Sequence, residues 1–480
     1  MVSTTAENHW RKQEVKMVYG KKAIPDAVIL PDNTQQTIDG FGACFNEQGW
    51  TSLNTLSTKD REAVMKELFA PDVGASFTIF RMPIGANDFS LNWYSYNETD
   101  GDFDMNYFSI ENDTKTLIPF IKNAQKYNPN LKIWASPWSP PQWMKKNKHY
   151  AQLSTQRGYE MYAFQNPGQQ LKQGETGSLV FGDMEVLVGS QFDNGLAIGK
   201  GEGKEGSDMF IQDPKYLKAY ALYFSKFIDA YQAHDINIFA VMPQNEFNSA
   251  QIFPSCCWTA RGLSNFIGEY LGPAMEKLGV DIYFGTIERP NEALIDSVIQ
   301  NEKSGKYIKG VGFQWEGKDA LPGINQRYSD LKMVQTEQEC GNGKNDWKGA
   351  MHSWDLMKYY LNNGVSIYEY WNTSLFKGGV SRWGWLQNSL IVVDSKTKTY
   401  RFTPEYYLMK HVSHFVKPGA QKIEVNGKNK EVLAFQNPDK SIIVVLANTT
   451  STPDTFHIQL GENIYAPVLE ANSFNTMIIK

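Results

Sequence analysis

Two glutamates stand at the ends of apolar segments, where a buried charge would be costly. Glu246 closes Ile236–Glu246 in the string QNE, and Glu337 closes Leu331–Glu337 in the string QTE. Charges are rarely buried without partners, so a carboxylate directly after an apolar strand indicates a site rather than packing. Two carboxylates that face one pocket suit hydrolysis of a glycosidic bond. One protonates the leaving oxygen, and the other attacks the anomeric carbon.

Eight short apolar runs, each followed by a helical pattern, would position these carboxylates. Near-continuous apolar strands that alternate with helices predict a parallel sheet covered on both faces. Eight such strands favour a closed (β/α)₈ TIM barrel, in which strand ends at the C-terminal face carry the site. The runs are Thr37–Phe45, Ser76–Gly85, Leu131–Trp138, Ile236–Glu246, Asp281–Glu288, Tyr307–Trp315, Leu331–Glu337 and Ser366–Asn372.

The crossover stretches show helical periodicity and, after about residue 417, the pattern changes to period two. Helices are predicted over Thr58–Phe69, Lys215–Gln232 and Ser264–Leu278, with Ser264 as a cap, and around Pro404–Phe415. The C-terminal strands read as a small antiparallel β-sandwich, which the strand-like Val15–Leu30 would join. The predicted domains are therefore a barrel over residues 37–416 and a side domain formed by residues 10–36 plus 417–480.

The composition is that of a globular protein, with 41% hydrophobic residues, 21% charged residues and a net charge of −5 over 480 residues. Without a long basic run, nucleic acid and anionic membrane surfaces are poor partners. The longest apolar runs fall well short of the ~18 residues of a membrane span. Cysteine and histidine spacings suit no zinc site, and we expect neither metal nor cofactor. The adjacent Cys256 and Cys257 are predicted to be free thiols.

A long Gly- and Gln-rich stretch between Ser154 and Asp213 does not fit a compact barrel. Loops of this length are uncommon unless they are functional or disordered. Because the stretch follows the third strand, it is expected to lie over the C-terminal face of the barrel. We interpret it as a loop that shapes the substrate site beyond the scissile bond.

Six motifs in order resemble glycoside hydrolase family 30, the family of glucosylceramidase and many bacterial β-glycosidases. They are GFGACFNE (40–47), FRMPIGANDFS (80–90), SPWSPPQWMK (136–145), QNE (244–246), QTE (335–337) and EYWN (369–372). The resemblance implies a barrel fused to a β-sandwich and retaining hydrolysis of a carbohydrate substrate. It also favours a secreted, periplasmic or cell-surface location, although the N-terminus shows no signal-peptide pattern.

Matched position by position, the resemblance implies a role for each site residue. Glu246 corresponds to the general acid/base and Glu337 to the nucleophile, while Arg81 supports the nucleophile rather than touching sugar. An aromatic face packs against the C–H groups of a pyranose, and a carboxylate accepts hydrogen bonds from its hydroxyls. The residues assigned to substrate binding are Asp88, Trp138, Asn245, Trp315 and Trp371.

Three departures from the family pattern keep alternatives open. Glu339 follows Glu337 by two residues and is a second candidate for the nucleophile. Glu316 places an extra acid after the sixth strand, where glucosylceramidase-like members carry His-Trp-Tyr, and the insertion is longer than theirs. β-Glucosides or a β-glucan, for example β-1,6-linked, are the favoured substrates. β-Xylosides, β-fucosides, β-galactosides or non-catalytic carbohydrate binding are the alternatives.

Overall fold

Eight parallel strands close into a barrel in which neighbours in the chain are neighbours in the sheet and the eighth strand returns to the first. A computed structural model describes residues 1–18, 24–165, 172–173, 178–181 and 184–479. The predicted (β/α)₈ barrel is confirmed. Its strands are β1 (Gly40–Cys44), β2 (Ile79–Pro83), β3 (Lys132–Ser136), β4 (Ile238–Val241), β5 (Asp281–Ile287), β6 (Ile308–Gln314), β7 (Lys332–Glu337) and β8 (Val365–Asn372).

Helices connect the barrel strands, and one of them begins earlier than predicted. Thr259, rather than Ser264, caps it, because the Thr259 hydroxyl accepts a hydrogen bond from the backbone N–H of Gly262 at 2.9 Å. No helix in the described parts of the chain is long and apolar enough to cross a membrane. The helices are Glu47–Asn54, Thr58–Phe69, Leu117–Tyr127, Thr155–Gln165, Pro214–Gln232, Ala260–Phe266 continuing through Ile267–Leu271 to Gly272–Leu278, Glu292–Ile299, Leu321–Arg327, Trp347–Asn362 and Pro404–Ser413.

The barrel interior changes from apolar to polar along the strands. An apolar cluster fills its lower part and includes Ile79 of β2 and Val334 of β7. Since side chains alternate along a strand, the inward position two residues further on is Arg81 in β2 and Thr336 in β7. Both of these residues are buried, and their polar groups lie at the C-terminal end of the barrel. The alternation along the strands thus places a layer of buried polar side chains directly above the apolar core of the barrel.

Strands from both ends of the chain build the β-sandwich domain. Ala27–Thr37 pairs antiparallel with Gln421–Gly427 and parallel with Ile458–Leu460. Val2–Thr5, which precedes the predicted start of the domain at residue 10, pairs with Ser473–Ile479. The ten-stranded sheet contains Val2–Thr5, Arg11–Lys12, Lys16–Val18, Ala27–Thr37, Gln421–Gly427, Val432–Gln436, Ile442–Asn448, Ile458–Leu460, Asn463–Ala466 and Ser473–Ile479, and a separate pair is formed by Asp454–Thr455 and Val468–Leu469.

The stretch between residues 154 and 213 contains regular structure before residue 188, where its interpretation as a loop is wrong, whereas residues 193–213 form a loop as predicted. Thr155–Gln165 is a helix, and Met184–Leu187 pairs with Trp385–Leu386, which lies in the long connection after β8. This sheet also contains Lys172–Gln173 and Ser178–Phe181. The connection after β8 carries a further small sheet of Ser374–Phe376, Ile391–Asp394 and Thr399–Phe402. Residues 166–171, 174–177 and 182–183 lie outside the described residues.

A buried lysine joins the segments that follow β3 and β4. The Nζ of Lys145 donates hydrogen bonds to the Ser139 hydroxyl at 3.1 Å, the Tyr150 carbonyl at 2.6 Å and the Ser255 carbonyl at 2.7 Å. Burial lowers the pKa of Lys145 to about 8. Cys256 and Cys257 follow Ser255 as buried free thiols, as predicted.

Candidate active site

The two predicted glutamates approach each other from opposite sides of the barrel mouth. Glu337 is the last residue of β7, whereas Glu246 lies five residues beyond the end of β4. Glu246 has a left-handed φ of 46°, and its backbone N–H donates to the Thr286 hydroxyl of β5 at 2.9 Å. Such strained backbone, which costs on the order of 1–3 kcal/mol, concentrates at functional sites. Glu246 is 4% and Glu337 5% exposed.

One side-chain amide, that of Gln314, contacts both glutamates. Gln314 ends β6 and lies opposite Glu337 in the β6–β7 pairing. Its Nε2 lies 2.9 Å from Glu246 Oε1 and 3.3 Å from Glu337 Oε2, so these two oxygens lie within roughly 6 Å of each other. We did not predict a site role for Gln314 from the sequence. Its position at the end of an apolar strand is the signal that could have identified it.

Arg81 organises the layer beneath the glutamates. The side chain is fully buried, and its Nη1 donates to Glu337 Oε2 at 3.1 Å. Its other donors reach the Ser136 hydroxyl at 2.9 Å, Asn245 Oδ1 at 2.6 Å and the Thr336 carbonyl at 3.1 Å. A guanidinium has five donors in a fixed plane, so it can hold several acceptors in one geometry.

Burial dominates the electrostatics of the pair. It raises the pKa of Glu337, with the Arg81 guanidinium opposing the increase and the charge of Glu246 adding to it. Burial also raises the pKa of Glu246, against the lowering effect of the Gln314 hydrogen bond. Two carboxylates this close resist double ionisation.

Asn245 and Asp88 lie beside the pair and differ in how far their hydrogen-bonding groups are paired. Asn245 Oδ1 accepts hydrogen bonds from Arg81 at 2.6 Å and from Thr286 at 3.0 Å. Asp88 is 4% exposed, and its Oδ1 has no hydrogen-bond partner within the described chain. Burial, followed by the charges of Glu337 and Glu246, raises the pKa of Asp88 well above its usual range. A buried carboxylate oxygen without a partner is costly unless a ligand supplies one.

The predicted aromatic residues group around Arg81 and Glu337. The rings of Trp138 and Trp371 lie 5.2 Å apart, and the Arg81 guanidinium is 4.3 Å and 5.2 Å from their respective centroids. Trp371 Nε1 is buried and has no hydrogen-bond partner among the residues that the structure describes. Trp315 has a left-handed φ of 49° and donates from its Nε1 to Glu337 Oε1 at 3.1 Å. Glu337 thus accepts hydrogen bonds at both oxygens.

Glu339 and Glu316 occupy different surroundings from the glutamate pair. Glu339 pairs with Lys318 at 3.0 Å and with the His352 ring at 2.9 Å. Burial raises the pKa of Glu339, but the His352 hydrogen bond and the Lys318 charge outweigh it and hold the pKa below its usual range. Glu316 is 70% exposed and lies 3.9 Å from Arg289. Neither residue has a contact with Gln314 or Arg81 among the hydrogen bonds of the described residues.

The chain matches known domains along most of its length. The TIM-barrel domain of glycosyl hydrolase family 30 matches residues 38–165 and 197–416, and the β-sandwich domain of the same family matches residues 419–477. Residues 166–196, within the insertion after β3, are left unmatched. No cluster of three or more His, Cys, Asp or Glu side chains able to hold a metal ion occurs in the described ranges.

Proteins similar to this chain come from animals, fungi and bacteria. "Putative glucosylceramidase 1" of Caenorhabditis elegans is 28% identical over 88% of this chain and 76% of its own length. "Endo-1,6-beta-D-glucanase neg1" of Aspergillus fumigatus is 26% identical over 86% of this chain and 79% of its own. The crystal structure of SrfJ from Salmonella typhimurium has a TM-score of 0.81 at 22% identity, covering 100% of this chain and 98% of the other.

A closed barrel with an attached β-sandwich, with carboxylates gathered at its C-terminal mouth, defines a glycosyl hydrolase that acts on carbohydrate. The chain belongs to glycosyl hydrolase family 30. The resemblance seen in the six sequence motifs is confirmed.

Proposed function

We propose that this protein is a retaining β-glycosidase that cleaves β-glucosides or a β-glucan by double displacement. Glu337 is the nucleophile and Glu246 the general acid/base. The observation that carries the proposal is the spacing of the two carboxylates. Gln314 Nε2 lies 2.9 Å from one and 3.3 Å from the other. The two oxygens that share this amide are therefore at most about 6 Å apart, which fits the ~5–5.5 Å between the carboxyl groups of a retaining enzyme.

The surroundings of the pair support this division of roles. Near neutral pH the pair holds one proton, because burial and mutual repulsion disfavour two charges. Arg81 at 3.1 Å and Trp315 at 3.1 Å donate to Glu337 and stabilise its negative charge. The proton therefore resides on Glu246, which leaves Glu337 ready to attack.

The reaction then proceeds in two steps, formation and hydrolysis of a glycosyl-enzyme. The Glu337 carboxylate bonds to the anomeric carbon while the bond to the leaving oxygen breaks and Glu246 transfers its proton to that oxygen. In the second step, a water oxygen attacks the anomeric carbon while the ionised Glu246 removes a proton from that water. The bond between the anomeric carbon and Glu337 breaks, and both carboxyl groups return to their initial states.

Five side chains would hold the glycone sugar. The partnerless Oδ1 of Asp88 accepts hydrogen bonds from sugar hydroxyls, and Trp138 and Trp371 present indole groups to the ring. Since Asn245 Oδ1 is occupied by Arg81 and Thr286, its amide nitrogen is the group that contacts the 2-hydroxyl. Trp315, linked to Glu337, completes the binding surface.

A β-glucoside is the favoured substrate. An acid at the position of Asp88 suits a sugar with free 4- and 6-hydroxyls, which favours glucose over xylose. The names of two relatives, a glucosylceramidase and an endo-1,6-β-glucanase, share glucose as the sugar and differ in what it is attached to. A panel of aryl β-glycosides with different sugars would identify the preferred glycone, and hydrolysis of none would contradict the proposal.

Azide distinguishes the two glutamates by the stereochemistry of the product. Glu337→Gly removes the nucleophile and leaves space beside the anomeric carbon, so azide attacks an activated β-glycoside directly and yields the α-glycosyl azide. Glu246→Ala still forms the glycosyl-enzyme from a substrate with a good leaving group, and azide then yields the β-glycosyl azide. The products are distinguished by NMR.

Glu339→Gly is the matched control, because it removes a partly buried glutamate two residues away. We expect it to yield no α-glycosyl azide. If Glu339→Gly yielded the α product while Glu337→Gly remained active, the assignment of the nucleophile would be overturned.

A further inference from the structure

A second buried carboxyl group lies beside Glu246 and has no role in the reaction as described above. We propose that Glu288 forms a leaving-group subsite that binds a hydroxyl of a sugar, so that the natural substrate carries a sugar rather than an apolar group beyond the scissile bond. The proposal rests on the function proposed above, because it places Glu246 on the leaving-group side.

The chain segment at the end of β5 brings Glu288 to the barrel mouth. Thr286, near the end of β5, contacts Glu246 through its hydroxyl. Glu288 lies two residues further along the chain, directly after the end of β5 at Ile287. Burial and then the charge of Glu246 raise the pKa of Glu288 well above its usual range. The general acid and Glu288 therefore share one end of the site.

The two oxygens of Glu288 are in different states. Oε1 is held by the Arg289 guanidinium in a short ion pair. Oε2 is buried, since the whole residue is only 7% exposed, and it has no hydrogen-bond partner among the described residues. An orphaned buried carboxyl oxygen is unfavourable, and a substrate hydroxyl can satisfy it in either protonation state, since a hydroxyl both donates and accepts.

Arg289 fixes the position of Glu288 through Oε1. Besides Glu288, it contacts Glu205 at 3.4 Å and Glu316 at 3.9 Å. Glu205 belongs to the long insertion after β3, and Glu316 to the segment after β6. Because these contacts hold the guanidinium at Oε1, Oε2 is left as the binding group.

This arrangement discriminates between classes of leaving group. A sugar supplies a hydroxyl to Glu288 Oε2, whereas an alkyl or lipid chain would cover that oxygen and leave it without a partner. A site built to hydrogen-bond a hydroxyl rejects analogues that lack it more strongly than an apolar pocket rejects an added group. One hydrogen bond to a charged group corresponds to roughly 10–100-fold in rate.

The first test uses the unaltered protein and three substrates with the same β-linked sugar: a β-diglucoside, an octyl β-glucoside and a 4-nitrophenyl β-glucoside. We expect kcat/KM for the diglucoside to exceed that for the octyl glucoside by at least about tenfold. Equal or faster hydrolysis of the octyl glucoside would overturn the subsite. Hydrolysis of no β-glycoside would instead overturn the function on which the subsite rests.

The second test compares variants by the ratio of kcat/KM for the diglucoside to that for the 4-nitrophenyl glucoside. Glu288→Leu should lower this ratio by roughly 10–100-fold, and Glu288→Gln, which keeps a hydrogen-bonding group, should lower it less. Glu316→Gln is the matched control, because it removes an exposed carboxylate from the same arginine and should leave the ratio unchanged. An unchanged ratio in Glu288→Leu, or an equal fall in Glu316→Gln, would refute the proposal.

Discussion

Arg81 and Glu337 form an ion pair at 3.1 Å in which the arginine side chain is fully buried and that of the glutamate is 5% exposed. Removing one partner of such a pair leaves a charge without compensation in a medium of low dielectric constant. The same arginine donates hydrogen bonds to Asn245 and Ser136, so its loss also removes a contact that positions the Asn245 side chain beside Glu246. Stability and activity are therefore expected to depend on one side chain.

Arg81→Met should lower the free energy of unfolding by about 3–5 kcal/mol and abolish most of the glycosidase activity. Urea unfolding monitored by tryptophan fluorescence measures the first effect, and kcat/KM on an aryl β-glucoside the second. Arg327→Met is the control, because Arg327 is 38% exposed and pairs with Glu292 at the surface. It should cost at most about 1 kcal/mol. Equal destabilisation by both variants would contradict this account of Arg81.

Gln314→Leu should shift the pH dependence as well as the rate. The Gln314 amide favours the ionised form of Glu246, so its loss raises the pKa of Glu246. Glu246 must be protonated for the first step, and activity at high pH is lost through its ionisation. The basic limb of kcat/KM should therefore move to higher pH, with a fall in kcat/KM of roughly 10–100-fold. Gln300→Leu, at an exposed position, is the control and should leave the profile unchanged.

The insertion after β3 is expected to contact the parts of long substrates that lie beyond the scissile bond. Replacing residues 166–185 by a short linker retains Asn194, whose amide donates to the Leu153 and Ile252 carbonyls at 2.7 and 2.8 Å and anchors the insertion. Contacts with distant parts of a substrate contribute to the rate only when the substrate reaches them. We expect near-normal kcat/KM on an aryl glucoside and about a tenfold loss on a β-glucan oligosaccharide. Equal losses on both would indicate a structural role.

His411 should make stability depend on pH at the junction of barrel and sandwich. Its ring lies 2.9 Å from the hydroxyls of both Thr4 and Thr476, and burial lowers its pKa from the usual 6.5 to about 3. Between pH 6.5 and about 3, His411 is protonated in the unfolded chain but stays neutral in the folded chain. The free energy of unfolding thus falls by about 1.4 kcal/mol per pH unit toward pH 3.

Urea unfolding between pH 4 and 7 tests this linkage. His411→Gln should be less stable at pH 7 and should show a shallower decline with falling pH. His234→Gln, at an exposed position, should retain the steep decline of the parent protein. An identical slope in His411→Gln and the parent would contradict the role of His411. If the linkage holds, we propose that the side domain, which includes Val2–Thr5 as well as the predicted residues 10–36 plus 417–480, unfolds together with the barrel over residues 37–416.

The barrel was predictable because strands buried on both faces need nearly continuous apolar runs. β7, for example, occupies Lys332–Glu337 within the predicted Leu331–Glu337. The insertion was harder, because the helix Thr155–Gln165 is followed by Gly-rich segments and the whole stretch was interpreted as one loop. The cap at Thr259 rather than Ser264 shows the same limit, since serine and threonine can serve either as caps or inside a helix.

The site residues remain predictions, and all of them except Trp315 lie within the six sequence motifs. Gln314 and Glu288 lay within predicted strands, but their contacts depend on the left-handed turn at Glu246 and on the stagger between neighbouring strands. Side-chain partners across a barrel are separated by tens to hundreds of residues. Local patterns therefore could not identify which amide joins the two glutamates or which acid is left without a partner.

The pairing of Val2–Thr5 with Ser473–Ile479 constrains how this protein is made in a cell. The strand synthesised early can be completed only when a strand roughly 470 residues later has left the ribosome, which at typical rates takes about 20–100 s. During that interval one edge of the N-terminal strand has no partner, and unpaired edges attract other chains. A fusion or insertion that delays release of the C-terminal strand is therefore expected to lengthen the aggregation-prone interval.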